Sequence, residues 1–591
     1  MKYKYIFAGF FLLVGIVYSC NKSKLNEPPL GNIQQSDMEN KTGVQSLLIG
    51  TYAVLDGYGT VASLLDYGRP TSNWLFGSIC GSEAYKGSTL EDQEFTMNPI
   101  EAFQTTPYNT FMEQKWTSLY DGISRANEVL RIMRQAKDMT TDDTVEVRAE
   151  TVFLRAFYHF EAKKMWNRIQ MVDENITYEA GNYKVANDTS WSLIETDLMY
   201  AANHLPAIQS APGRVNKYAA EAYLAKAYLF EHKFADAGPL LTDIINNGVN
   251  ASGTAYALNK NYRDNFDPSV KNGAESVFAI QEDVNDGSNG SNGTVGDQLT
   301  YTVLGYGFFL PSQYLVNHFK TDATTGLPDL DGFNLTDVKN DWQIPSSDPF
   351  TPDTISLDPR LDWTVGRRGI PYLDWGVEPG ADWVRDQPFE RYGPYAPKKT
   401  MINNSQQAMY GESGWSGKIT ANNTNLVRFS DVLLWAAEAA IENGDLATAR
   451  KYVNRVRQRA ADSASWVYQY NIDPGTGLQD PSLGNSNIPA ANYKVGLYTQ
   501  PWTDPVFARK AVRYERMLEL GMEGHRFFDL VRWGIAGTEI NTYLQKEMIT
   551  RPALIGASFE KTNDYFPIPY LEISLSAGPD GQPKMIQNPG Y

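Results

Sequence analysis

Cysteine is nearly absent. Cys20 and Cys80 are the only two in 591 residues, so if Cys20 carries lipid Cys80 has no disulfide partner and stability must come from packing. Histidine is scarce too: His159, His204, His232, His318 and His525 are scattered, and neither H-E-x-x-H nor C-x-x-C occurs. No metal and no cofactor are expected. The 52 Lys and Arg are outnumbered by 69 Asp and Glu, and a net charge of −17 provides no basic stripe to displace phosphate counterions. Nucleic acid is therefore excluded as a partner. A G-x-S-x-G elbow is missing, and Gly417-Lys418 lacks both the glycine spacing and the Ser/Thr of a phosphate loop. Asp283-Val-Asn-Asp-Gly287 lacks the alternation and the terminal glutamate of a calcium loop.

What is present begins with an address. Lys2 and Lys4 precede an apolar run at 6–17 that is too short to span a bilayer, and Val17-Tyr18-Ser19-Cys20 ends it like a bacterial lipobox. Residues 1–19 read as a signal peptide with Cys20 as the lipidated residue. Residues 20–34, polar and carrying Pro28-Pro29, read as a tether. Beyond it, a 42% hydrophobic content is enough for a large core.

Helical periodicity dominates the body, and it repeats. A shift of roughly 212 positions aligns Ala225 with Ala437, Ala227 with Ala439, Leu229 with Ile441, Leu241 with Val453 and Ile244 with Val456. Small residues on one face let paired helices approach, while larger ones fill the space between pairs, a tetratricopeptide-like pattern. The fold class is mostly α: a tetratricopeptide-like helix-pair scaffold carrying a large loop-rich, aromatic-rich portion. Trp116, Trp166, Trp191, Trp435 and Trp533 fall on helical patterns and read as packing.

Between 285 and 425 the periodicity fades and Gly, Asp, Asn, Pro and aromatics take over, apart from a short helix expected over 311–319. Residues 357–360 read as a turn leading into extended chain at 361–366. Loops held by a rigid scaffold commonly carry binding residues, and Trp74, Trp342, Trp363, Trp375, Trp383 and Trp415 all lie in loop sequence. A flat ring can stack on a sugar face while Asp or Arg bonds its hydroxyls. On that reasoning the ligand contacts are Asp66, Trp74, Tyr85, Trp342, Arg368, Trp375 and Tyr395. The cluster Asp362, Asp374, Asp382 and Asp386 is compatible either with a hydrolase cleft or with a binding platform.

One stretch stands out, residues 515–534, where Gly521-Met-Glu-Gly-His-Arg526 interrupts an amphipathic helix that resumes through Phe527, Phe528, Leu530 and Val531. Arg526, Asp529 and Arg532 read as structural ion-pairing residues, with His525 in the turn. Together with Trp116, Tyr120, Ile123, Ala126 and Asn127, with Arg148 to Tyr158, and with the endings Phe566-Pro-Ile-Pro569 and Gln587-Asn-Pro-Gly-Tyr591, this stretch resembles the SusD/RagB family of outer-membrane nutrient-binding lipoproteins of Bacteroidetes.

The resemblance implies a non-catalytic, lipid-anchored cell-surface protein with no cofactor. Such a protein captures an oligosaccharide or polysaccharide and passes it to a SusC-like TonB-dependent outer-membrane transporter, over which it sits as a lid. It also implies an organisation of helical 35–284, loop-rich ligand-binding 285–425 and helical 426–591 carrying the signature. Two alternatives stand beside it: a glycoside hydrolase using paired carboxylates, and a peptide-binding or protein-only helical scaffold.

Overall fold

The computed structural model describes residues 34–57, 69–92, 95–288, 290, 292–293, 307–383, 393–414 and 417–591. Its α-helices of six or more residues run in chain order as α1 Lys41–Ala53, α2 Thr110–Met133, α3 Thr141–Trp166, α4 Ser192–His204, α5 Lys217–Phe230, α6 Phe234–Asn247, α7 Gln313–His318, α8 Phe429–Glu442, α9 Leu446–Ala461, α10 Pro505–Leu520, α11 Arg526–Arg532, α12 Ala536–Glu547 and α13 Tyr570–Leu575. Local chemistry sets their starts. The Thr140 hydroxyl accepts the Asp143 N–H while the Asp143 carboxylate accepts the Thr140 N–H, each at 3.1 Å, a reciprocal cap for α3. Asn216 caps α5 by accepting the Ala219 N–H at 2.9 Å.

The helices stack in sequence: α2 on α3, α3 on α4, α4 on α5, α5 on α6, α6 on α8, and α8 on both α9 and α10. The repeat lies in the middle of this stack. Ala225, Ala227, Ala437 and Ala439 are fully buried between helices, and Leu241, Ile244, Val453 and Val456 fill the same register one helix later. Because α6 rests on α8, the two repeat units pack on each other and bury a continuous core.

The aromatic and asparagine motifs of the first helices explain themselves as joints. Trp116 stacks on Tyr120 at 4.7 Å and meets Trp166 edge-on at 4.9 Å. The Tyr120 hydroxyl donates to the Gln170 carbonyl (2.9 Å) and the Asn127 amide to the Val172 carbonyl (3.0 Å), tying α2 to the chain leaving α3. The C-terminal motif returns to the same place. Trp166 Nε1 donates to the Pro567 carbonyl at 3.0 Å, and Asn588 donates to the Trp166 and Phe566 carbonyls at 2.7 and 2.8 Å. Trp116, Trp166 and Trp435 are buried as expected of packing residues, whereas Trp191 and Trp533 keep part of their rings exposed.

The portion from 285 to 425 is held by two-stranded antiparallel ribbons. Ala84–Gly87 pairs with Phe308–Pro311, Ser276–Ile280 with Thr424–Arg428, and Val365–Gly366 with Ala396–Pro397. The helix expected at 311–319 is α7, with Ser312 accepting the Leu315 N–H at 3.0 Å. Two local expectations need correction. Residues 361–366 begin with a helical turn, Leu361–Thr364, before the two-residue strand, and the loop expected around Trp74 is a π-helical turn, Trp74–Ile79.

Below these ribbons lies a buried ionic lattice. Glu519 accepts from Arg459 at 2.5 Å, Arg428 at 2.9 Å and Arg360 at 3.1 Å; Arg428 also holds Glu275 (2.7 Å) and Glu523 (2.8 Å). Arg360 and Arg457 both reach Glu515, at 2.8 and 2.9 Å. The lattice joins α9 and α10 to the chain around 360 and 428.

Candidate functional site

The turn between α10 and α11 forms one wall of an open chamber of about 1010 Å³, a volume that takes in solvent at its mouth. Two glycines make this possible. A Cβ on Gly77 would lie 1.9 Å from the Gly524 carbonyl oxygen, and Gly524 itself has φ +80°, so the π-helical turn presses backbone to backbone against the 521–524 turn only with glycine at both positions. Ser78 Oγ accepts the Gly524 N–H at 2.9 Å, and the Glu83 carboxylate accepts the Met522 N–H at 3.0 Å. Burial pushes the Glu83 carboxyl up to about 7, even against the pull of its own bonds to the Ser78 side chain and the Met522 N–H.

The opposite wall is α3 and α5. Glu161 pairs with Lys164 at 2.6 Å and accepts from Asn73 at 3.1 Å. Burial pushes the Glu161 carboxyl up, but Lys164, Lys226 and Lys115 outweigh it and hold it below its usual range. Lys226 is brought down to about 8, first by burial and then by Lys164. Burial lowers His525 to about 4, so its ring is neutral at pH 7. Trp74 leans against Phe309 at 5.5 Å, and Asn422, Asn423, Thr424 and Asn425 add amides and a hydroxyl at the rim. Glu523, the other carboxylate on the lining, is held at about 2: burial opposes ionisation, and Arg428 and Lys399 overcome it.

The SusD family model matches residues 274–591, more than half of the chain, and a second model, described as starch-binding and associating with the outer membrane, matches 43–229. The chain belongs to the SusD family. A SusD-like protein of Formosa agariphila is 22% identical over 561 residues, covering 90% of each chain. Among solved structures, a SusD superfamily protein from Bacteroides vulgatus superposes with a TM-score of 0.65 at 20% identity, covering 94% of this chain and all of that one. A laminarin-binding SusD-like protein gives 0.63 at 22%, covering 93% and 100%. The surface glycan-binding protein A of Bacteroides thetaiotaomicron, solved with laminarihexaose, gives 0.61 at 18%, covering 93% and 99%. These likenesses establish the mostly helical SusD fold.

Within that SusD fold the residues singled out from sequence fall into separate places. Asp66 and the lipidation residue Cys20 lie outside the described residues, as do Asp386 and Trp415. Trp74 lines the chamber. Tyr85, Trp342 and Tyr395 come together elsewhere. Tyr85 and Trp342 cover the Arg551 guanidinium at 4.7 and 5.1 Å, and Gln313 accepts the Tyr395 hydroxyl (3.0 Å) while its N–H donates to the Tyr85 hydroxyl (3.0 Å).

Expected as ligand contacts, Tyr85, Arg368 and Tyr395 are placed as interior struts. The Tyr85 hydroxyl donates to Glu547 at 2.6 Å, and Tyr395 is fully buried. Arg368 donates to the carbonyls of Pro345 (3.1 Å), Ser346 (2.8 Å) and Asp348 (2.6 Å), shaping that turn. Trp375 is half-buried in a small satellite core with Tyr372, Met401 and Trp383, its Nε1 donating to the Ile402 carbonyl at 2.9 Å. Of the aspartates, Asp362 is buried against Arg367 (2.6 Å) and the Tyr493 hydroxyl (2.6 Å), and Asp374 accepts backbone N–H groups of Asn404 and Ser405.

Sequence reasoning passed over Lys164, Lys226 and His525. The available signal was charge on a buried face: Lys226 interrupts an α5 stretch otherwise made of Ala, Leu and Tyr. The signature residues take the structural parts expected of them. Asp529 pairs with Arg516 (2.7 Å) and Arg532 (2.9 Å), and Arg526 with Glu539 (3.2 Å).

Proposed function

We propose that this chain captures an oligosaccharide or polysaccharide without cleaving it and hands it to a SusC-like TonB-dependent transporter, held at the cell surface by lipid on Cys20. The observation that carries the reading is the SusD fold over nearly the whole chain combined with a chamber that mixes aromatic faces, amides and hydroxyls. Pockets of that mixture suit ligands with alternating apolar faces and hydroxyl rims. Solved neighbours of the same fold are named for laminarin binding and for a laminarihexaose complex. Binding rather than hydrolysis fits the carboxylates on the chamber wall, since Glu161 and Glu523 are both committed to cations. Trp74 on the chamber and Trp342 and Trp375 outside it are the proposed stacking faces and Asp66 the proposed hydroxyl acceptor, while Tyr85, Arg368 and Tyr395 hold their loops.

Calorimetric titration of the full chain with a panel of neutral and acidic oligosaccharides and peptides, followed by a reducing-end assay, tests this. Saturable oligosaccharide binding with no new reducing ends is expected. Peptide binding alone, or release of reducing ends, would overturn it.

A further inference from the structure

Every cation on the chamber wall has a carboxylate in contact except one. Lys164 has Glu161, Lys399 has Glu523, and Arg69 has Asp56 at 2.9 Å. The neighbouring carboxylates Asp431 and Asp529 are taken by Arg516, at 3.3 and 2.7 Å. Lys226 has no hydrogen bond and no ion pair among the described residues. Its ammonium sits among ring faces: 5.3 Å from Phe160, 5.3 Å from Tyr223 and 5.7 Å from Trp435. The residue is only 7% exposed, and it lines both the chamber and a smaller crevice behind it.

Ring faces stabilise the charge but accept none of its three N–H donors well, and the Lys226 ammonium is not one of the sealed polar atoms, so it opens to the chamber's contents. The acceptors must come from whatever fills the chamber. An oxyanion on a sugar suits the place, because Asn73, Asn423 and Asn425 on the same lining already donate to Glu161, Asn272 and the Asn265 carbonyl, which leaves the ammonium to meet the ligand's charge.

We infer that the chamber is an anion subsite in which Lys226 receives the carboxylate or sulfate group of an acidic glycan. The inference rests on the glycan-capture reading and narrows its ligand class.

Calorimetry on the full chain with laminarihexaose, an oligomannuronate of the same length and sulfated laminarihexaose separates the possibilities. At least one acidic probe should bind about tenfold more tightly than the neutral one, as a charge-assisted bond predicts, and lose that advantage between about 50 and 200 mM salt. Lys226→Met should erase the preference for acidic over neutral probes, and Lys226→Arg should keep it. Equal affinities for acidic and neutral probes, or a preference that survives in a folded Lys226→Met, would overturn the inference. If Lys226→Met does not fold, the parent's preference and its salt dependence decide.

The two readings fail differently. If no hexasaccharide binds, glycan capture is wrong, and the anion subsite is judged by melting temperature in sodium glucuronate against glucose. A rise with glucuronate alone in the parent, absent in Lys226→Met, keeps the subsite; equal melting in both overturns it.

Discussion

Glu519→Gln is the sharpest probe of how the loop-rich portion is fixed to the scaffold. Glu519 is fully buried and accepts from Arg360, Arg428 and Arg459. Around it, Arg360, Arg428, Arg457, Arg459 and Lys399 face Asp358, Glu275, Glu515, Glu519 and Glu523, so the lattice is balanced in charge. The amide has the same shape, but it removes one negative charge and turns N–H donors toward guanidinium donors. Breaking a buried pair from one side costs about 3–5 kcal/mol, and the variant should show that loss at pH 7.

The three arginines hold the Glu519 carboxyl well below its usual range against the opposing effect of burial. A depressed carboxylate contributes stability that is complete above its unfolded value and lost as pH falls through its folded value. For Glu523, brought from 4.5 to about 2, the contribution is roughly 3 kcal/mol, lost between those pH values. Urea midpoints of parent and Glu519→Gln should therefore differ widely at pH 7 and converge as pH falls below 4.5. An unchanged midpoint at pH 7, or a deficit that stays constant down to pH 2.5, would refute the reasoning.

Ala227→Leu and Ala439→Leu should each cost about 1–3 kcal/mol by overpacking the helix pairs, read as lower denaturant midpoints. Gly77→Ala drives a methyl into the Gly524 carbonyl and should cost at least as much, seen as an early melt and loss of oligosaccharide binding. Tyr85→Phe and Tyr395→Phe should each lose about 1 kcal/mol of stability with glycan affinity unchanged, since their hydroxyls bond inside the protein. Trp74→Ala should instead weaken glycan affinity by about tenfold, and normal affinity in that variant would remove Trp74 from the site. Cys20→Ser should abolish metabolic lipid labelling; a retained label would contradict the lipobox reading.

The scaffold was legible because its information is periodic. Ala225 and Ala437, or Leu241 and Val453, announce their faces through helical spacing alone, and the register found is the register read. The loop portion was not legible in the same way. Tyr395 and Trp375 look alike in sequence, each an aromatic within two residues of a glycine, yet one is sealed against Gln313 and the other stays half open. Their difference is set by α7 and by the 396–402 segment, partners far away or without periodicity. Lys226 was overlooked for the opposite reason: a charge in a helical repeat reads as a solvated face, and only the arrival of α3, α8 and the 521–525 turn shows that it is enclosed.

The glycine contact between the π-helical turn and the signature has a temporal meaning. Ser78 and Gly524 are 446 positions apart, so the two sides of the chamber wall meet only when almost the entire polypeptide has been made. Contacts of such separation form late, after the local helix pairs have already collapsed. A growing chain therefore carries a nearly finished helical stack with no cavity in it. Any product that ends before the signature should be able to build the repeats and yet hold nothing, making capture a property that the last tenth of synthesis switches on.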